Sequence, residues 1–385
     1  MNLIWKSLLL LFLISIFSFC FKDSVLAVYD PFSVPNNKFG IHILFPSELE
    51  DAGELVNSNG GDWGYVTIPI QHSDKDLRKW QDFMNTAKKF HLIPLIRLST
   101  NGDYFNNAIW EKPKNSDVLD FANFLNSLDW PTKNRYIIVY NEVNRADEWG
   151  GMVNPSEYAQ ILSYAVTSFK STNENFFIIS AGLDNAAPNQ GNKYMNQYLF
   201  MRQMNSAIPG IFNQIDGLAS HSYPNPNFSQ APASKTAMSV VSFRQEKQLA
   251  ESLSSKKFPV FITETGWSSD ALSDSLIASY YQSIFANAWL DPSIVAVTPF
   301  ILKAGAGPFQ KFSMFDTNGN PNFRYKAISS IAKTKGSPIF SSKKVLGNSL
   351  PPKKYPMKKF KGKIKEKNTT TVSTTKTVLK WFLRI

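Results

Sequence analysis

The sequence predicts an α/β fold, a single (β/α)8 barrel followed by a disordered basic tail, and three observations predict it. Eight short apolar runs recur along the 385 residues, each followed by a stretch with helical periodicity. The runs lack the strict alternation of half-exposed strands, as strands covered on both faces should. No glycine-rich GxGxxG turn follows the first run, which disfavours an open nucleotide-binding sheet, and the count of eight favours a closed barrel.

The eight runs are 39–44, 65–70, 92–98, 136–140, 176–181, 217–223, 259–263 and 294–302, as a set rich in Ile, Val and Phe. Between the second and third, Ser73-Asp74-Lys75-Asp76 resembles a capping box, after which Leu77, Trp80, Met84 and Ala87 fall on one helical face. Asn154-Pro155 sets a cap before a proline at the first helical position, with Tyr158, Ile161, Leu162, Ala165 and Phe169 as the apolar stripe. A further stripe runs through Leu276, Tyr280, Ile284 and Ala288, and 323–335 supplies a last helix. No Pro-, Gly- or Ser-rich linker interrupts 30–335, so one domain is expected there.

Charge separates this body from its ends. Residues 343–385 hold thirteen Lys or Arg against one acid, Glu366, a net +12 that leaves residues 1–342 at −1 within the chain total of +11. A basic groove for nucleic acid is therefore excluded from the body. From 338 to 385, lysine clusters, Pro351-Pro352 and threonine runs cannot bury a core, and a disordered tail is expected. Its lysines either contact an anionic cell-surface polymer or lipid headgroup, or form a solvated extension without function. At the other end, Lys6, an apolar run over 8–20 and Val25-Leu26-Ala27 form the pattern of a secretory signal over 1–27, with an uncleaved anchor as the alternative. A secreted or cell-surface location follows, and 28–337 is the expected folded domain. Cys20 is the sole cysteine and the four histidines have no helical ligand spacing, so neither disulfides nor a metal site is expected.

In a barrel of this kind, chemistry sits where strands end. The fourth run ends Tyr140-Asn141-Glu142 and the seventh Ile262-Thr263-Glu264, so two carboxylates reach the same rim three strands apart. Partial desolvation there raises a carboxyl pKa, as a general acid requires. Two carboxylates across a cleft are the equipment for cleaving a glycosidic bond.

Asn141-Glu142 and the string Ile262-Thr263-Glu264-Thr265-Gly266-Trp267 resemble the clan A glycoside hydrolases, with closest motif similarity to endo-β-1,3-glucanase, endo-β-1,4-galactanase and cellulase-like members. The resemblance implies a retaining β-glycosidase acting on a poly- or oligosaccharide, without cofactor, with Glu142 as acid/base and Glu264 as nucleophile. It further implies that Asn141 bonds the sugar 2-hydroxyl and that His221-Ser222-Tyr223 matches the clan's His-x-Tyr, Tyr223 orienting the nucleophile.

The chain departs from the clan in three places. Ser268 stands where proline is common, the second run ends without the usual arginine, and the eighth offers Phe300 instead of a tryptophan platform. Arg97, inside the third run, either replaces the arginine or bridges a core carboxylate. Trp149 and Trp267 are the expected sugar platforms, Trp110 lies on a rim loop, and Trp63 at the opposite end is expected to pack. His42 and Asp184-Asn185 are candidate sugar contacts. A monomer is expected, and a non-catalytic carbohydrate-binding protein on the same scaffold is the alternative function.

Overall fold

A computed structural model of the chain describes residues 28–103, 109–305 and 307–341. The expected signal over 1–27 and the tail beyond 341 lie outside the described residues. No described helix is long and apolar enough to cross a membrane.

Strands and helices alternate in the order β1 (Gly40–His42), α1 (Leu49–Val56), β2 (Gly64–Gln71), α2 (Leu77–Lys89), β3 (Leu92–Ser99) and α3 (Asn115–Asn126). Next come β4 (Arg135–Ile138), α4 (Pro155–Thr172), β5 (Phe176–Ile179), α5 (Gln197–Ala207) and α6 (Ile211–Gln214). The chain then runs through β6 (Leu218–His221), α7 (Phe243–Ser252), β7 (Val260–Glu264), α8 (Asp274–Phe285), β8 (Ile294–Val297) and α9 (Phe323–Ser330). All pairing is parallel, in a five-stranded sheet β1–β5 and a three-stranded sheet β6–β8. Single parallel bridges, Phe39 with Val297 and Ile179 with Gly217, link the two sheets at both seams.

Each expected run contains a strand, and the differences lie at strand ends. The regular strands β4, β6 and β8 stop at 138, 221 and 297, before the expected 140, 223 and 302, because the chain turns there to build the rim. Beyond β8 the backbone stays bonded to its neighbours: His42 N–H donates to Pro299 O at 3.0 Å and Leu302 N–H to His42 O at 2.9 Å.

Both strand faces are buried, which explains the missing alternation. Val66, Ile68 and Ile70 pack with Trp80, Phe83 and Met84 of α2, while Tyr65, Ile93, Leu95, Tyr136, Ile138, Phe177 and Phe261 form a second cluster on the face away from the helices. Each fully buried Ile or Phe of this kind contributes about 2 kcal/mol. Gly40 is required where β1, β2 and β8 crowd, since a Cβ there would lie 2.6 Å from Thr298 Cγ2.

Helix starts follow the sequence with small shifts. Asn154 caps α4 by accepting from Glu157 N–H, and its whole expected stripe is buried. For α2 the cap is Asp76, accepting from Lys79 N–H, rather than the 73–76 box. Leu77 is consequently exposed and Phe83 takes its place in the stripe. In α8 the buried set is Ile277, Tyr281, Ile284 and Phe285, rotated by about one residue from the expected stripe, and α9 ends at Ser330 instead of 335. The body runs past 337: Lys133 N–H donates to Ile339 O at 2.7 Å and Ser341 Oγ–H to Thr132 O at 2.9 Å.

A carboxyl on α7 sits inside the core. Glu246 of α7 accepts from Ser242 Oγ–H at 2.9 Å, and burial pushes it up to about 7. A raised carboxyl contributes most to stability below its unfolded value near 4.5 and loses that contribution as pH rises through about 7. Glu246→Gln is therefore expected to stabilise the protein above pH 8 by about 2–3 kcal/mol and to leave it nearly unchanged at pH 4. Urea unfolding at the two pH values checks this.

Candidate active site

The site begins with β3. Ile93, Leu95 and Arg97 share one face, and Ile93 and Leu95 belong to the cluster away from the helices, so Arg97 is the next residue of that file toward the strand's C-terminal end. A guanidinium so buried must be paired. Arg97 donates to Asn141 Oδ1 at 2.8 Å and to Glu264 Oε1 in a short ion pair. The arginine missing from the second run is thus supplied by its neighbour strand, in register with Pro69.

Glu142 reaches the cleft through a break in alternation. After Tyr136 and Ile138, period two would send Tyr140 inward. Instead Tyr140 adopts a left-handed backbone (φ 70°) and its ring packs on Trp149 among the helices. Asn141 then turns toward Arg97, and Glu142, itself left-handed (φ 36°), follows it into the cleft. Each such residue costs about 1–2 kcal/mol, and here Glu142 N–H bonded to Gly182 O at 2.9 Å holds the conformation.

Glu264 reaches it through a β-bulge. On β6 and β7, Ser220 pairs with Ile262 but His221 pairs with Glu264, which leaves Thr263 as the extra residue. Phe261 and Glu264 thereby point to the same side, where simple alternation would have turned Glu264 outward with Val260 and Ile262. Tyr223, two residues after His221 on the same face, donates its hydroxyl to Glu264 Oε2 at 3.0 Å.

The two carboxyls end in different surroundings. Glu264 is buried, and burial alone would raise it, but the charges of His221 and Arg97 hold it well below the ordinary carboxylate range. Glu142 has His221 Nδ1 at 2.9 Å from Oε1 and Arg145 Nη1 at 3.2 Å from Oε2. Burial pulls His221 down, but Glu264 and Glu142 outweigh it and the imidazole titrates above its usual value. His42, fully buried with Nε2 3.6 Å from Glu264 Oε1, is pushed down to about 3 by burial and by the charge of Arg97, so it is neutral. One oxygen each of Glu142 and Glu264 lie within 4.8 Å of each other, with His221 between them. The Arg97 guanidinium beside Glu264 opposes a metal ion at that trio.

The carboxyls face a cleft of about 350 Å³, inside the range of small-ligand sites. Tyr223, Phe228, Phe300, Phe309 and Phe312 line one side, and Arg145, Asp147, Glu148 and Asp184 the other. Phe300 stands at the end of the eighth run as expected, edge-on to His42. Trp110 also lines the cleft. Trp149 and Trp267 do not: each is 1% exposed, packed on Tyr158 and Tyr281 respectively, and Trp267 Nε1–H donates to Gln230 O. Their rings anchor the loops after β4 and β7 and present no free face to a sugar. Trp63 stacks on His91 away from the cleft. Asn185 is a support, donating to Tyr223 O at 2.9 Å, while Asp184 faces the cleft.

Sequence reasoning missed Arg145, which Asp147 grips through two nitrogens (3.1 and 2.6 Å) while it touches Glu142. Its place three residues after Glu142 was the available signal. Ser268, where a proline would have no N–H, donates to Phe228 O at 3.1 Å and ties the two rim loops together. Gly182 was also missed. A Cβ there would fall 2.1 Å from His221 Cδ2, so the imidazole occupies space that only glycine leaves. Gly182→Ala is expected to displace His221 from Glu142 and cut activity about 100-fold or more while the fold persists. Steady-state rates beside circular dichroism would check it.

No protein-family model matches the sequence, and no curated protein does. Solved structures do match. A family 39 glycoside hydrolase from Bacteroides cellulosilyticus WH2 has a TM-score of 0.55 at 17% identity, over 79% of this chain and 64% of that one. A GH5_18 from Bifidobacterium longum subsp. infantis has 0.54 at 12% identity, over 77% of this chain and 79% of that one. Thermotoga maritima Cel5A, solved with mannotriose, has 0.50 at 14% identity, over 78% of this chain and all of that one. This chain spans just under two thirds of the length of the first. At such identities the likeness shows that the α/β fold is shared with glycoside hydrolases.

Proposed function

We propose that this chain is a β-glycosidase of the clan A type, cutting its bond by double displacement on a closed (β/α)8 barrel. The bridges at both seams support closure. The observation that carries the mechanism is the carboxylate spacing: one oxygen of Glu142 and one of Glu264 lie within 4.8 Å. Retaining enzymes hold their carboxyls about 5–5.5 Å apart, whereas inverting ones leave about 6.5–9.5 Å for a water.

In this reading Glu264 is the nucleophile. Arg97 and Tyr223 fix its two oxygens and keep it ionised, so a lone pair stands ready to attack the anomeric carbon. Glu142 gives its proton to the leaving oxygen, then accepts one from the water that cleaves the glycosyl–enzyme ester. His221, bonded to Glu142, fixes the orientation of that carboxyl between the two steps. Asn141, positioned by Arg97, bonds the sugar 2-hydroxyl as oxocarbenium character develops.

The alternative of a binding protein without catalysis draws on the arginine absent from the second run and the tryptophan absent from the eighth; Arg97 at Glu264 removes the first support, while Phe300 stands in the second place. A 2-deoxy-2-fluoroglycosyl fluoride separates the two readings. The expected result is inactivation with a covalent adduct, mapped by mass spectrometry to the peptide holding Glu264. An adduct elsewhere, or none across gluco-, galacto-, manno- and xylo-configured reagents, sinks the proposal.

A further inference from the structure

The walls of the cleft differ in chemistry, and the polar one is acceptor-rich. Glu148 and Asp184 line it beside Glu142, with Asp103 also contributing to the lining. Only two described lining residues are cations. Arg97 is committed to Glu264 and Asn141, and Arg145 to Asp147 and Glu142. A ligand carboxylate entering here would meet a wall of carboxyl groups, and both guanidiniums already face carboxylates that balance their charge. Sugar hydroxyls, by contrast, donate to carboxyl oxygens at little cost. The opposite wall of phenylalanines offers apolar contact; the cation beside it, Lys311, lies 5.6 Å from the Phe228 and Phe312 ring centroids and pairs with Asp270.

The carboxyls of the cleft already register this field. Burial and then the charge of Glu142 push Glu148 up to about 8 and Asp184 up to about 6. What resists a second negative charge on the protein resists one carried in by a ligand.

We infer that the cleft selects uncharged β-glycans and rejects those bearing uronate carboxylates, with Glu148 and Asp184 as the residues that set the preference. The substrate class so named rests on the glycosidase reading above, whereas the selectivity is a binding property that is measured separately.

The test uses the full chain at pH 8 and low salt. Neutral β-linked gluco-, manno- and galacto-tetrasaccharides are compared by calorimetry with the same compounds oxidised to carboxylates at C6, and hydrolysis is followed in the same solutions. At least one neutral compound is expected to bind about tenfold or more tighter than its oxidised partner. A Glu148→Gln/Asp184→Asn variant is expected to narrow that ratio several-fold, since the amide oxygen that replaces the Asp184 carboxylate still accepts from Ala186 N–H. Equal affinities, tighter binding of the oxidised forms, binding of neither, or a ratio unmoved in the variant would overturn the selectivity. Discrimination in binding without bond cleavage would support it while counting against the glycosidase reading.

Discussion

Glu264→Ala is expected to lower hydrolysis by about 10⁴-fold or more, roughly 5 kcal/mol of transition-state stabilisation. Without the carboxylate no glycosyl ester can form at this position. The alanine also strips Arg97 of its charge partner. A guanidinium so buried, deprived of its carboxylate, costs about 3–5 kcal/mol of stability. The two losses must be told apart, and Glu264→Gln does so, since its amide oxygen still accepts from Arg97. Equal inactivity in both variants, with the Gln protein folded and more stable than the Ala protein, assigns the loss to chemistry. Near-parental turnover in either variant would remove Glu264 from the mechanism.

Glu142→Gln has the second largest expected effect, and it depends on the leaving group. The amide keeps an oxygen for His221 but has no proton to give. For a sugar alkoxide as leaving group, the loss should be about 10²–10⁴-fold. For a dinitrophenolate, which departs without protonation, the first step should proceed nearly unhindered and a burst of phenolate should precede slow turnover. Equal losses on both substrates would mean that Glu142 binds or orients instead of donating a proton.

The strands were legible because burial on both faces writes itself into composition: Phe177, Ile178 and Ile179 can be read without knowing their partners. Helix starts were legible wherever a short polar side chain meets its own backbone, as at Asn154. Glu142 and Glu264 were legible as polar residues closing apolar runs. What aims them was not. A left-handed Tyr140 and the extra residue at Thr263 are properties of pairing between strands, and nothing local distinguishes them from ordinary neighbours. Trp149 and Trp267 misled for the same reason, since sequence places an indole on a loop but not which way the loop folds back. Arg97 was recognised as a candidate, yet its partner 167 positions away was visible only in the fold.

Glu264 takes its supports from β3 and from the segment after β6, while its own position depends on the bulge between β6 and β7. The site is therefore assembled from widely separated stretches of one chain, and the proposed nucleophile lies in the later part. During synthesis, a ribosome that has released only the first sheet has made the arginine without its carboxylate. Hydrolysis should thus begin late and abruptly as the chain lengthens, which makes turnover a clock for completion of the fold.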